Sequence, residues 1–208
     1  FPSYLAPAMT QLPELPLTLS RQEIRKMIRQ RRRALTPEQQ QEMGQQAATR
    51  MMTYPPVVMA HTVAVFLSFD GELDTQPLIE QLWRAGKRVY LPVLHPFSAG
   101  NLLFLNYHPQ SELVMNRLKI HEPKLDVRDV LPLSRLDVLI TPLVAFDEYG
   151  QRLGMGGGFY DRTLQNWQHY KMQPVGYAHD CQLVEKLPVE EWDIPLPAVV
   201  TPSKVWEW

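Results

Sequence analysis

Arg152, Asp161 and Arg162 bracket Gly154-Met-Gly-Gly-Gly158, where four of the chain's ten glycines fall in five positions. Backbone without Cβ atoms can turn its N–H groups onto an anion, and guanidinium groups can offset its charge. A phosphate group is therefore the first ligand expected. Asp161 supplies a hard oxygen donor of the kind that holds Mg²⁺ beside a phosphate chain. The run from Phe159 to Leu164 is expected to open a helix whose positive end faces the same phosphates. A glycine-rich hairpin without a ligand is the alternative reading of this pattern. No glycine-lysine-Ser/Thr ending follows the loop, so a Walker site is disfavoured. A dinucleotide fingerprint is disfavoured too, because it follows the first strand and this loop lies about three-quarters along the chain.

Other charged residues fall where a ligand could reach them. Glu72 and Asp74 follow an apolar run, Thr62-Val-Ala-Val-Phe-Leu67, read as a buried strand. In open α/β sheets, ligands collect outside the carboxyl ends of strands. Acidic residues at this position also cap helices, so a ligand role and a capping role both stand for Glu72. Arg21 and Arg25 lie one turn apart on a predicted helix and make a paired cationic edge. Asp193 sits on a segment kept extended by Pro188, Pro195 and Pro197, which leaves it able to reach across the strand ends.

The elements that position these residues follow from caps and periodicity. Ser20-Arg-Gln-Glu23 reads as a capping box opening a helix to about Leu35, with Ile24, Met27, Ile28 and Leu35 on its apolar face. Thr36-Pro37-Glu-Gln39 opens a second helix carrying Met43, Ala47, Ala48 and Met51, which Pro55 and Pro56 end. After the first strand, a helix with Leu78, Ile79 and Leu82 closes at Gly86 and leads to a strand over Arg88–Pro92. This is a βαβ unit. Further strands are expected over 102–106, 137–142, 174–178 and 198–201. The stretch up to Pro123 has little periodicity and reads as a functional loop. The fold class expected is α/β, a single domain with an open sheet and flanking helices.

Composition narrows the function classes. A chain of 208 residues, 45% hydrophobic, can bury one sizeable core, and a formal charge of −1 implies no global attraction to nucleic acid or membrane. Arg29-Gln-Arg-Arg-Arg33 lacks interleaved aromatics and reads as a helix face rather than a nucleic-acid site. The lone Cys181 excludes an intrachain disulfide and suits a reducing compartment. Six histidines show no zinc-binding spacing. No apolar run reaches membrane-spanning length. Residues 1–19, broken by four prolines and without a basic leader region, read as a flexible N-terminal extension.

Taken together, these separated stretches resemble the 5-formyltetrahydrofolate cyclo-ligase (methenyltetrahydrofolate synthetase) family over roughly Ser20 to Thr201. The most specific part is Phe146-Asp-Glu-Tyr-Gly-Gln-Arg-Leu-Gly-Met-Gly-Gly-Gly-Phe-Tyr-Asp-Arg162. It is similar to the family's Asp…Gly-x-Arg-Leu-Gly-x-Gly-x-Gly-Tyr-Tyr-Asp-Arg signature. Ser68 with Glu72-Leu-Asp-Thr75, the Arg21-x-x-Ile-Arg25 edge, and Asp193 support the match.

The resemblance implies a ribose-phosphate isomerase/CoA-transferase-like fold over residues 20–208 and a cytoplasmic, monomeric ligase. Its reaction would be the ATP-dependent closure of 5-formyltetrahydrofolate to 5,10-methenyltetrahydrofolate, through phosphorylation of the formyl oxygen. It further implies that Arg21, Arg25, Arg152 and the stretch Leu153, Gly154, Met155, Gly156, Gly157, Gly158, Phe159 and Tyr160 bind ATP. Arg25, Leu67, Glu72 and Met155 would meet the folate, Arg152 and Glu72 would act in catalysis, and Asp161 and Asp193 would hold Mg²⁺. The family usually carries lysine at the positions of Arg21 and Gly157, and tyrosine at that of Phe159. Two other readings compete: a sugar-phosphate isomerase or CoA-transferase of the same fold, and a nucleic-acid or regulatory module built on Arg29 to Arg33.

Overall fold

The computed structural model describes residues 19–208. The N-terminal extension expected over 1–19 therefore lies, except for Leu19, outside the described residues.

Side-chain caps set the first two helices. Ser20 Oγ accepts from the Glu23 N–H at 3.1 Å and opens α1 (Arg21–Arg33); of the expected capping box, this half forms. Thr36 and Gln39 make both halves, at 3.1 and 2.9 Å, and open α2 (Pro37–Thr53). Pro55 and Pro56 end α2 as expected, yet they also begin a short α3 (Pro55–Met59). Proline suits the first helical positions because its missing N–H has no intrahelical partner to lose.

The expected βαβ unit forms from β1 (Thr62–Ala64), α4 (Gln76–Arg84) and β2 (Arg88–Leu94), with Val63 opposite Val89 in a parallel pair. Gly86, at φ +76°, supplies the left-handed residue after α4. β1 is shorter than the apolar run predicted, and β2 continues past Pro92. Strand β1 ends opposite Tyr90, so no parallel neighbour requires an N–H from Pro92.

β3 (Leu102–Tyr107) returns antiparallel beside β2. The stretch read as a loop then holds a small hairpin, β4 (Leu113–Met115) with β5 (His121–Pro123), and an edge strand, β6 (Val130–Leu131). These strands are two or three residues long, too short to show a period of two. β7 (Val138–Thr141) lies parallel to β1. A second hairpin, β8 (Ala145–Phe146) and β9 (Arg152–Leu153), leads into the glycine loop and α5 (Phe159–Leu164). β10 (Gln173–Tyr177), β11 (Ala198–Val200) and β12 (Val205–Glu207) complete the chain, the last beyond any strand expected.

The main sheet has the order β12-β11-β10-β7-β1-β2-β3-β6, parallel from β11 to β2 and antiparallel at both margins. Both faces are covered. Val63, Val138 and Ile140 pack against Ala47, Met51, Leu78 and Leu82 of α2 and α4; Ala64, Leu139 and Val199 face Phe146 and Leu164. This alternation within β7 explains why its sequence is apolar from Val138 to Ile140. Among the described residues no helix is long and apolar enough to cross a membrane.

Candidate active site

The carboxyl end of β1 begins the site. Past Ala64 the chain stays extended and then turns sharply at Ser68, whose hydroxyl donates to Leu73 O and accepts from the Thr75 N–H, both at 2.8 Å. Thr75 in turn donates to Phe66 O at 2.6 Å, while Asp74 Oδ1 accepts from the Gln76 N–H at 3.0 Å at the start of α4. Asp70 and Gly71 take positive φ values of +49° and +76°. This brings Glu72 round, so that its Oε1 accepts from the Phe69 N–H at 2.9 Å and the carboxyl lines the cleft. Withdrawal from water is the main effect on Glu72 and raises its pKa to about 7; the Phe69 N–H, Arg32 and Arg152 pull the other way.

That turn is held from behind. Arg29, Arg32 and Arg33 converge on the Asp70 carboxylate at 3.3, 3.8 and 2.8 Å. The basic run of α1 thus anchors the loop that presents Glu72. His179, fully buried, places Nε2 3.2 Å from Gly71 O. Facing a carbonyl, Nε2 must carry the proton, and burial brings the ring's pKa down to about 4, so it stays neutral.

α1 forms the opposite wall because Ile24 and Ile28 pack on Val144, Ala145 and Leu153 of the β8–β9 hairpin. Docked this way, Arg25 donates through Nε to Gly154 O at 2.7 Å. Burial, with the Arg21 charge nearby, lowers its pKa. Arg21 reaches Asp193 through two bonds of 2.6 and 3.2 Å, and Pro188 O at 3.2 Å.

Asp147, completely buried, shapes the turn between β8 and β9 by accepting from the N–H groups of Tyr149, Gln151 and Leu187 at 2.9, 3.1 and 2.9 Å. Beyond β9 the four glycines divide into two kinds. Gly156 and Gly158 have φ of +105° and +71° and need glycine for conformation. Gly154 and Gly157 need it for space: a Cβ would lie 3.2 Å from the Arg152 guanidinium and 2.8 Å from the Phe159 ring, respectively. A side chain at 157 would therefore require the Phe159 ring to move from this placement. Arg162 holds the loop's far side, donating to Gly157 O at 2.5 Å and Gly100 O at 2.6 Å. The helix expected after the loop forms as α5, six residues long, with Gly158 at its N-cap.

Arg152 is buried, donates through Nε to Pro142 O at 2.8 Å, and lies 3.6 Å from Asp161 Oδ1 and 5.5 Å from the centre of the Tyr160 ring. Burial lowers its pKa and raises that of Tyr160, leaving a charged guanidinium beside a neutral phenol. These walls enclose a cleft of about 680 Å³. Arg21, Arg25, Leu67, Glu72, Arg152, Gly154 to Tyr160 and Asp161 all line it.

Two predicted residues stand apart. Leu153 packs into the α1 core, 1% exposed, so only its backbone is available at the site. Asp193 stands behind Arg21 as its counter-ion. Sequence reasoning missed the apolar wall made by Leu94 and Leu102 of the β2–β3 pair with Leu118 and Ile120. Glu122 fixes that wall by accepting from the Leu94 N–H and the Asn116 side chain at 3.1 and 3.0 Å.

The model of the 5-formyltetrahydrofolate cyclo-ligase family matches residues 18–202. The chain belongs to that family. It is 53% identical over 179 residues to the 5-formyltetrahydrofolate cyclo-ligase of Haemophilus influenzae, covering 86% of this chain and 96% of the relative. The Mycolicibacterium smegmatis cyclo-ligase is 31% identical, with 89% and 95% covered. Among solved structures, the Aquifex aeolicus 5,10-methenyltetrahydrofolate synthetase superposes with a TM-score of 0.77 at 28% identity, covering 91% of this chain and 93% of that one. The cyclo-ligase fold is therefore the α/β architecture described above, with the cleft at the carboxyl ends of β1, β2 and β7.

Proposed function

We propose that this cyclo-ligase uses ATP to close 5-formyltetrahydrofolate to 5,10-methenyltetrahydrofolate, releasing ADP and phosphate. The carrying observation is the union, in one cleft, of a basic glycine-loop wall with an apolar wall and a carboxyl, Glu72, whose pKa is raised by burial. The first suits a polyphosphate and the second a ring system. In the chemistry proposed, the γ-phosphoryl group moves to the formyl oxygen and makes that oxygen a leaving group. The neighbouring folate nitrogen attacks the formyl carbon, loses its proton, and phosphate departs with the oxygen. The protein's work is positioning and charge stabilisation.

Arg25, held on Gly154 O, and the loop N–H groups would orient the phosphate chain. Arg152 would meet the charge that grows on the transferring group, and Glu72 would accept the proton released on closure. Leu67 and Met155, also in the cleft wall, would contact the folate beside Arg25.

The donor set fits Mg²⁺. Asp161 has a carboxylate oxygen engaged only by a long 3.4 Å contact from the Ile194 N–H and by Arg152 at 3.6 Å. Among the described residues no group of three or more potential ligands converges, in keeping with a metal that takes one or two carboxylates and completes its shell with phosphates and water. Bound there, the ion would neutralise phosphate charge. Asp193 could join only by releasing Arg21, which would then be free to turn to the phosphates. Asp161→Asn is expected to raise the Mg²⁺ concentration for half-maximal turnover by about tenfold. A titration of rate against Mg²⁺ at fixed ATP checks it, and an unchanged midpoint would remove Asp161 from the metal site.

The reading also carries a cytoplasmic monomer. The lone Cys181 is half-buried and its thiol pKa is raised by burial, so it stays protonated. Incubation with 5-formyltetrahydrofolate and Mg-ATP should give the near-ultraviolet absorbance of the methenyl product. A folded protein giving no ATP-dependent rise would overturn the proposal.

A further inference from the structure

Trp192 has the wrong exposure for its type. The residue is 62% exposed, although tryptophan is highly buried on average, and it lines the cleft with Arg21. The segment carrying it is not loose. Leu187 N–H donates to the buried Asp147 carboxylate at 2.9 Å, and Arg21 grips Pro188 O and the Asp193 carboxylate. Asp193 Oδ2 also accepts from the Glu190 N–H at 2.8 Å. Past the tryptophan, Leu196 N–H donates to Gly150 O at 2.8 Å. An indole is thus held out over the cleft mouth by a strap fastened on both sides, with no aromatic partner of its own among the described residues.

We infer that Trp192 is a stacking platform for the purine base of the nucleotide. Its sequence neighbour Asp193 is the counter-ion of Arg21, so the indole stands at the basic end of the cleft. The flat group that belongs beside a phosphate chain is the base attached to it. The apolar wall of Leu94, Leu102, Leu118 and Ile120 provides for a second ring system elsewhere. Stacking uses the face of the base rather than its edge, so Trp192 contributes affinity without selecting among purines. This rests on the nucleotide-dependent reading above.

Titration of the full chain with Mg-ATP, followed by tryptophan fluorescence and calorimetry, tests it. Wild-type fluorescence should be quenched, and the quench should vanish in Trp192→Phe, which retains a ring and binds within about threefold. Trp192→Ala should weaken Mg-ATP and Mg-GTP alike by about tenfold, a factor within the range of base–aromatic stacking. Inorganic tripolyphosphate, which has no base, should bind both proteins equally. Equal loss for tripolyphosphate would mean that the substitution had merely disturbed the Arg21–Asp193 strap, and would overturn the inference. An unchanged Mg-ATP affinity in Trp192→Ala would overturn it too, while leaving the proposed reaction intact. A wild-type protein that binds no nucleotide would end both.

Discussion

Arg152→Lys is expected to lower kcat by about 10²- to 10³-fold, with the KM for ATP changing less than tenfold. Three observations combine to give so large an effect. Arg152 is 6% exposed, it is fixed by Pro142 O through Nε, and its nearest carboxylate oxygen lies 3.6 Å away, outside hydrogen-bonding distance. The guanidinium is therefore a buried positive charge that Asp161 only partly compensates. Such a group gains most when negative charge builds up nearby, as it does on a phosphoryl group in transfer. Arginine keeps its charge in this setting although burial lowers its pKa, because a guanidinium is not deprotonated inside a protein near neutral pH. A lysine has the charge but not the fork, so it cannot hold Pro142 O while pointing a second donor at the substrate. Burial would also push its pKa down, removing part of the charge itself. Steady-state kinetics with a thermal melt check the expectation. A kcat within about threefold of wild type would show that the developing charge is met elsewhere, by Arg25 or the loop N–H groups.

The parts of this site legible in the sequence were those fixed by local chemistry. Four clustered glycines announce an unusual backbone, and Arg152 and Asp161 announce a charge pattern, whatever the rest of the chain does. The βαβ unit was equally legible, because caps, a glycine stop and a β-branched run are local signals. What was not legible depended on distant packing. Nothing near Arg29–Arg33 says that three of these arginines meet at Asp70, some forty positions later. The apolar wall was hidden because β4 and β5 are three residues each and acquire their order from Glu122 bonding back to β2. Asp193 was read as free to reach across the strand ends, and sequence could not foresee that Arg21 would take both its oxygens.

The glycine loop shows how local and distant terms combine. Gly156 and Gly158 are demanded by their own φ values, whereas Gly157 is demanded by Phe159, two residues on. Arg162 then sits with its guanidinium 5.5 Å from the Phe159 ring centre, and a Cβ at Gly100 would come within 2.7 Å of it. A cation is thus present at the loop although residue 157 has no side chain to offer one. It is tied to Gly100 O and Gly157 O, so it sets the loop's shape and leaves Arg25 and Arg152 to face the cleft.

Glu72→Gln is expected to lower kcat by at least about 10²-fold and to abolish the acid limb of the pH profile near pH 7. In the proposed reaction ring closure frees a proton from the attacking nitrogen, and the Glu72 carboxyl, in the cleft wall with a pKa of about 7, would receive it. Below that pH it is protonated and cannot accept, so the wild-type kcat should rise about tenfold per pH unit and level off above 7. The amide retains an oxygen for the Phe69 N–H, so the turn at 68–72 should persist and the loss should be chemical. Stability supplies an independent reading of the same group. Its folded pKa lies above the value of about 4.3 expected in the unfolded chain, so the native state holds the extra proton between them. The stability this confers is fully present below about pH 4.3 and is lost as pH rises through 7. The amide cannot lose a proton, so Glu72→Gln should gain thermal stability relative to wild type on moving from pH 5 to pH 8. If the melts behave this way and the acid limb of kcat survives in the variant, Glu72 titrates as described but is not the proton acceptor.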